Sequence, residues 1–271
     1  GWTCLPPATT SANNNPGNVA TMIEWTQKNC FRIRDTRFRA FPLGLNQRQS
    51  TVDEFVMQKS DWMLERYQRL VEQLQPKHIF ELGIWRGGSC VFFHELAQAK
   101  KLVAVDISDQ RIDAVDDYIK LRGFESSLRL FYGVNQADVD RLRQIARAEF
   151  PEGELDLVID DASHFLDESR ASFNALFPLV RPGGVYVIED WPWAHGHIDK
   201  SEQENGLYEE REPLTKLIFE IILACPSTHP MIEKIEVDRI SATIGRGEGS
   251  VDAEQFDISN CYYERGGALI R

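Results

Sequence analysis

The chain has 271 residues, 42% hydrophobic and 27% charged, which suits one large globular domain with extensions or two small ones. A formal net charge of -12 repels phosphate backbones and excludes nucleic acid as the expected partner; the one basic cluster, Arg32, Arg34, Arg37 and Arg39, is too short to reverse this. Five scattered cysteines without a C-x-x-C pair argue against a disulfide framework or a structural zinc, and with no apolar run of membrane-spanning length and no signal-peptide layout a cytoplasmic location is expected.

The chain opens on an arm, residues 1–17, rich in Pro, Asn, Thr and Ser. The segment "TVDEFVMQKSDWMLERYQRLVEQLQP" carries apolar residues at helical spacing, from Val56 and Met57 through Met63, Leu64, Tyr67 and Val71 to Leu74. It predicts a helix capped by Thr51 or Asp53 and ended by Pro76. Residues 1–75 are thus expected to form an N-terminal arm and helical extension, and residues 76–271 the main domain.

A regular alternation then begins. "KHIFELGI", "KLVAVDIS", "LRLFYGV", "LDLVIDD" and "VYVIED" read as buried strands. Between them, "SCVFFHELAQA", "QRIDAVDDYIKLRG", "DVDRLRQIARAEF" and "DESRASFNALFPLV" read as helices, and "RPGG" as the turn into the fifth strand. This order predicts an α/β, Rossmann-like, mostly parallel sheet with helices on both faces. After Asp190, the polar and aromatic stretch over residues 191–212 reads as a binding loop or lid. The helix "PLTKLIFEIILAC" follows, and "IEKIEVDRISATIGRG" and "GALIR" read as two more strands.

"FELGIWRGGS" joins the first strand to the first helix, where glycines permit a tight turn and close approach to a ligand. Asp106 ends the second strand, where a carboxylate can accept both hydroxyls of a ribose. Together they mark a nucleoside-containing cofactor. These stretches, with "DLVIDD" and "RPGGVYVIED", resemble the class I S-adenosylmethionine-dependent methyltransferases over about residues 77–190. The resemblance implies a seven-stranded sheet whose last strand runs antiparallel. It also implies S-adenosyl-L-methionine held by Glu81, Gly83, Gly87 and Ser89 at its methionine end, by Asp106 at its ribose, and by Gln136 and Asp138 at its adenine.

The fourth strand ends in Asp160 and Asp161, and the fifth, its expected neighbour, in Glu189 and Asp190. Clustered carboxylates repel unless a cation neutralises them, and Mg2+ does so with oxygen ligands while keeping positions open. His164 follows within three residues, suited to serve as a general base because an unperturbed imidazole titrates near about 6.5; His195 and His197 are rivals. "VIDDASH" followed by "GGVYVIED" resembles the macrolide-sugar O-methyltransferases and the related cephalosporin-hydroxylase and rhamnosyl O-methyltransferase group. That resemblance implies Mg2+ held by Asp161, Glu189 and Asp190, with His164 as base; the doubled aspartate leaves Asp160 as the alternative ligand, and otherwise places it beside the donor.

The expected activity is Mg2+-dependent methyl transfer from S-adenosylmethionine to a sugar hydroxyl of a glycoside or other polyhydroxylated natural product, by a homo-oligomer. Trp191 and Trp193 are expected either to stack on the sugar or to pack in the core. A catechol-type phenol is the alternative acceptor. The chain lacks the 2-His-1-carboxylate iron triad that a hydroxylase reading would call for, and a non-catalytic binding protein would not need the acid cluster.

Overall fold

A computed structural model describes residues 23–41, 48–151, 154–195, 211–228 and 230–263. The opening arm, the middle of the 191–212 loop and "GALIR" lie outside the described residues.

The first elements are strands, where a helical extension was expected. β1 (Glu24–Gln27), β2 (Cys30–Ile33) and β3 (Thr36–Ala40) form an antiparallel meander, and β4 (Phe55–Met57) joins β3 in parallel. Asn29 and Arg34, both at positive φ, make the two tight turns. Phe31 and Phe38 alternate inward and meet Phe92 edge-on, so this small sheet shares a core with the main domain. Each such fully buried phenylalanine contributes roughly 1.5–3 kcal/mol, enough to hold the sheet down. The arginine cluster is neutralised in place: Arg32 pairs with Glu24, Arg34 with Glu95 and Arg39 with Glu54, while Arg37 donates to the Asp53 carbonyl.

The helix expected from Thr51 begins later, as α1 (Asp61–Leu74). Phe55, Val56 and Met57 are all buried, and pairing with β3 satisfies their backbone where a further helical turn would not. Met63, Leu64, Tyr67 and Val71 form the buried stripe of α1, and Gln75, at φ 50, ends it ahead of Pro76.

The main sheet has seven strands: β5 (His78–Leu82), β6 (Lys101–Asp106), β7 (Leu128–Tyr132), β8 (Leu155–Asp160), β9 (Val180–Glu189), β10 (Ile232–Val237) and β11 (Ser241–Arg246). Their order is β10-β11-β9-β8-β5-β6-β7, and β11 alone runs antiparallel to its neighbours. Among the described residues, β10 and β11 both arise from "IEKIEVDRISATIGRG". Among the described residues, the helices α2 (Gly88–Ala97), α3 (Asp113–Arg122), α4 (Val139–Glu149), α5 (Leu166–Leu176) and α6 (Thr215–Ser227) flank this sheet.

Alternation along each strand divides the core. Phe80, Val103, Val158 and Tyr186 face α4, α5 and α6, while Ile79, Leu102, Leu157 and Val187 face α1, α2 and the N-terminal sheet. β5 is central, and the chain winds from it one way to β6 and the other way to β8. That reversal opens a crevice at the carboxyl ends of the strands, where open α/β sheets bind ligands.

Candidate active site

The crevice encloses about 1060 Å³ at the carboxyl ends of β5 to β8, room for a nucleoside and part of a second molecule. Gly83 lines it at φ +97, and a Cβ there would lie 2.2 Å from the Asp161 carbonyl oxygen. Only glycine lets the β5 loop approach the β8 loop this closely, and the Asp161 N–H donates to the Leu82 carbonyl across the same contact at 3.0 Å. Asp106 also lines the crevice, and its carboxylate accepts the N–H groups of Ile84, Trp85 and Ser108 at 2.8, 3.0 and 2.8 Å. It therefore fixes the glycine loop as well as facing the ligand space. Gly87, at φ +77, and Ser89 form the start of α2, outside the crevice lining.

Glu81 is fully buried, and neither carboxylate oxygen has a hydrogen-bond partner among the described residues. Burial pushes its carboxyl up to about 8, with nearby Ser89 and Lys59 pulling it back. A buried acceptor left without a donor is costly, and such a group calls for a cationic or N–H-bearing partner.

Three of the expected donor contacts are made differently. Asp138 caps α4, accepting the Arg141 N–H at 3.0 Å, and does not line the crevice. Gln136 does line it, but its amide donates to Asp160 at 2.6 Å and to Ser172 at 3.1 Å, while its oxygen accepts the Ser163 N–H at 3.2 Å. Asp160 is 2% exposed and turned away from the crevice, accepting from Gln136, from Ser172 at 2.7 Å and from Tyr186 at 3.2 Å. Burial raises its carboxyl to about 6 against those three donors and the nearby His164. Strand alternation is the reason: with Asp160 pointing to the core, Asp161 points to the crevice.

Asp161 lines the crevice, and His164 and Asp190, outside its lining, gather around it, with one potential ligand atom from each within 4.8 Å of the others. The imidazole Nε2 stands 4.0 Å from Asp161 Oδ1 and 4.0 Å from Asp190 Oδ2. His164 and Asp190 hold left-handed backbone, φ 59 and 52, an arrangement that costs free energy and recurs at functional sites. At Asp190 that turn breaks the strand and brings its carboxylate toward Asp161. Burial and the charge of Glu189 raise the Asp190 carboxyl, and His164 opposes them.

Glu189 is not part of this cluster. It is buried and accepts from Lys59 Nζ at 2.8 Å on each oxygen, and from the Tyr67 hydroxyl. The same ammonium donates to Asp161 Oδ2 at 2.9 Å. Burial works against the charge on Lys59, but Asp161 and Glu189 outweigh it and hold the lysine protonated. Sequence reasoning missed Lys59 altogether and read Tyr67 only as core. An isolated lysine between two elements carries no local signal, and its partners stand 102 and 130 residues away.

The aromatic loop separates its two tryptophans. Trp191 Nε1 donates to the Asp238 carbonyl at 2.9 Å and packs against the core, whereas Trp193 is half-exposed with its ring 4.9 Å from that of His164. His195 hydrogen-bonds Thr215, and His197 lies outside the described residues. With Glu189 and Lys59 packed behind the cluster, three carboxylates and one ammonium leave a net of two negative charges, and Asp161 and Asp190 offer oxygen ligands. That donor set and charge suit a hard divalent cation.

The profile of the rhamnosyl O-methyltransferase/CmcI family matches residues 49–218. Mycinamicin VI 2''-O-methyltransferase of Micromonospora griseorubida is 35% identical over 155 residues, covering 52% of this chain and 35% of that protein. Demethylmacrocin O-methyltransferase of Streptomyces fradiae is 32% identical over 157 residues, covering 53% of this chain and 36% of that protein. The chain spans about a third of the length of these curated relatives. Among solved structures, the MycE methyltransferase of the mycinamycin biosynthetic pathway, in complex with Mg, SAH and mycinamycin VI, is similar at 28% identity with a TM-score of 0.51, covering 70% of this chain and 52% of that one.

Proposed function

The chain belongs to the rhamnosyl O-methyltransferase/CmcI family, and from that membership we propose that it transfers a methyl group from S-adenosylmethionine to a sugar hydroxyl of a glycoside natural product, in a reaction that requires Mg2+. The observation that carries this reading is the meeting of Asp161, Asp190 and His164 beside a crevice large enough for the donor. The named relatives are O-methyltransferases of mycinamicin VI and demethylmacrocin, and two adjacent sugar hydroxyls suit a metal with open positions.

The donor would lie along the crevice, with its amino group answering the unpartnered Glu81 and its ribose at Asp106. Asp161 and Asp190 would hold the cation, with Glu189 behind them on Lys59 and Tyr67. Bound there, Mg2+ would act as a Lewis acid toward the acceptor hydroxyl. His164 Nε2 takes the acceptor proton, and its ring is kept in place by the turn at the end of β8 and by Trp193. Bound in the crevice, S-adenosylmethionine would supply an activated methyl group, its sulfur leaving with the electron pair as the acceptor oxygen bonds the methyl carbon.

Incubation with labelled S-adenosylmethionine and a panel of glycosides and catechols, with Mg2+ or with EDTA, tests the reading. Label should enter glycosides and fall to background with EDTA. Undiminished transfer in EDTA rejects the metal, and transfer to catechols alone rejects the sugar.

Donor binding should depend on pH through Glu81. Its carboxyl is held at about 8 by burial, so the free protein carries it mostly protonated at neutral pH. A cationic amino group favours the ionised form, so affinity for S-adenosylhomocysteine should rise by about tenfold per pH unit from 6 toward 8 and then level off. The folded pKa is raised, so the free protein keeps a proton that the unfolded chain has released, and this group's contribution to stability declines as pH climbs through the same window. Calorimetric titration of wild type and Glu81→Gln checks this: the slope should vanish in the variant, and a slope common to both assigns it elsewhere.

A further inference from the structure

Lys59 takes no part in the proton transfer just described, yet it is buried among the carboxylates of the site. It stands in the short connection between β4 and α1, is 2% exposed, and donates to three carboxylate oxygens within 2.9 Å. The two oxygens of Asp161 face different neighbours: Oδ2 takes the ammonium at 2.9 Å, and Oδ1 faces His164 at 4.0 Å. Glu189 is braced a second time by the Tyr67 hydroxyl from α1.

We propose that Lys59 is a positioning residue for the cation site, clamping Asp161 and Glu189 so that Asp161 Oδ1 and Asp190 face a common point beside His164. This rests on the Mg2+ reading above. Three carboxylates gathered on two adjacent strand ends repel one another, and two of the turns that carry the site, at His164 and Asp190, are already in unfavourable backbone. Without a cation between Asp161 and Glu189, the β8 and β9 loops can relieve both costs by moving apart. An ammonium near a metal also repels it. Here that repulsion is limited, because Lys59 occupies Oδ2 and the buried Glu189, while the ligand atoms facing the crevice lie on the other side of Asp161. The clamp is anchored from the N-terminal sheet, since Phe55, Val56 and Met57 just before it are fully buried in β4. The extension, held on α2 by its shared apolar core, thereby contributes a side chain to the site.

The test is calorimetric titration of Mg2+ into the full chain as wild type, Lys59→Met and Lys59→Arg, with S-adenosylhomocysteine binding as a control for the fold. Mg2+ should bind Lys59→Met at least tenfold more weakly than it binds the wild type while the variant still binds S-adenosylhomocysteine, and Lys59→Arg should recover part of the loss. In turnover at saturating donor, the Mg2+ concentration for half-maximal rate should rise. Equal or tighter Mg2+ binding by Lys59→Met overturns the proposal, as does an arginine variant no better than methionine. If Lys59→Met fails to bind S-adenosylhomocysteine, Lys59→Gln repeats the test with an uncharged N–H donor, and unchanged Mg2+ affinity there is equally fatal. Absence of Mg2+ binding by the wild type removes the metal reading and the clamp together, whereas binding that ignores position 59 removes the clamp alone.

Discussion

Asp161→Asn should lower turnover by about a thousandfold or more while leaving the fold and donor binding intact. Asp161 is the one side chain shared by the buried ammonium and the crevice cluster, through Oδ2 to Lys59 and through Oδ1 toward His164. Asparagine keeps the volume and can still accept from Lys59, but it removes one of the two carboxylate charges of the cluster. The donor loop should not notice, because Gly83 packs against the backbone carbonyl of Asp161 and not its carboxylate. Single-turnover rates at saturating Mg2+, with S-adenosylhomocysteine affinity measured alongside, separate the two effects. Asp160→Asn is the matched control. Its side chain lies in the network of Gln136, Ser172 and Tyr186, so its turnover should stay within about tenfold of wild type. Should the two variants exchange behaviour, Asp160 is the ligand and the placement of the doubled aspartate is wrong.

His164→Asn should cost about a hundred- to ten-thousandfold in kcat, the range for loss of a positioned general base. Asparagine is the informative choice because residue 164 holds φ 59, a conformation that asparagine adopts more readily than other non-glycine residues. The loop should therefore keep its shape while the imidazole is lost. Mg2+ affinity should change little, since a hard cation draws on the carboxylates rather than on nitrogen. A variant that retains full turnover, or that loses Mg2+ binding in step with rate, removes the base role from His164. His195 would be a poor substitute, because its ring is already hydrogen-bonded to Thr215.

Most of the main domain could be read from local pattern. The five buried strands and their helices lie where alternating apolar runs and Gly or Pro punctuation put them, and the strand-end acids fall at the carboxyl edge of a parallel sheet. The N-terminal region could not be read this way. Val56 and Met57 fit the helical stripe that continues through α1, and only the vacant edge of β3 turns them into a strand. Asp138 and Gln136 were placed on the adenine side by resemblance. They serve instead as a helix cap and as the partner of Asp160, roles set by the geometry of α4 and α5.

The sequence by itself determined that carboxylates would gather beside a glycine-lined crevice, because strand period, turn chemistry and parallel order are written over a few residues at a time. It determined neither which of two adjacent aspartates faces the ligand nor what balances their charge. Those choices depend on packing: the core behind β8 took Asp160, the turn after β9 swung Asp190 into the cluster, and Lys59 reached Asp161 and Glu189 across 102 and 130 residues of chain. A contact of that span costs chain entropy that no local motif can signal, so only the folded molecule reveals it.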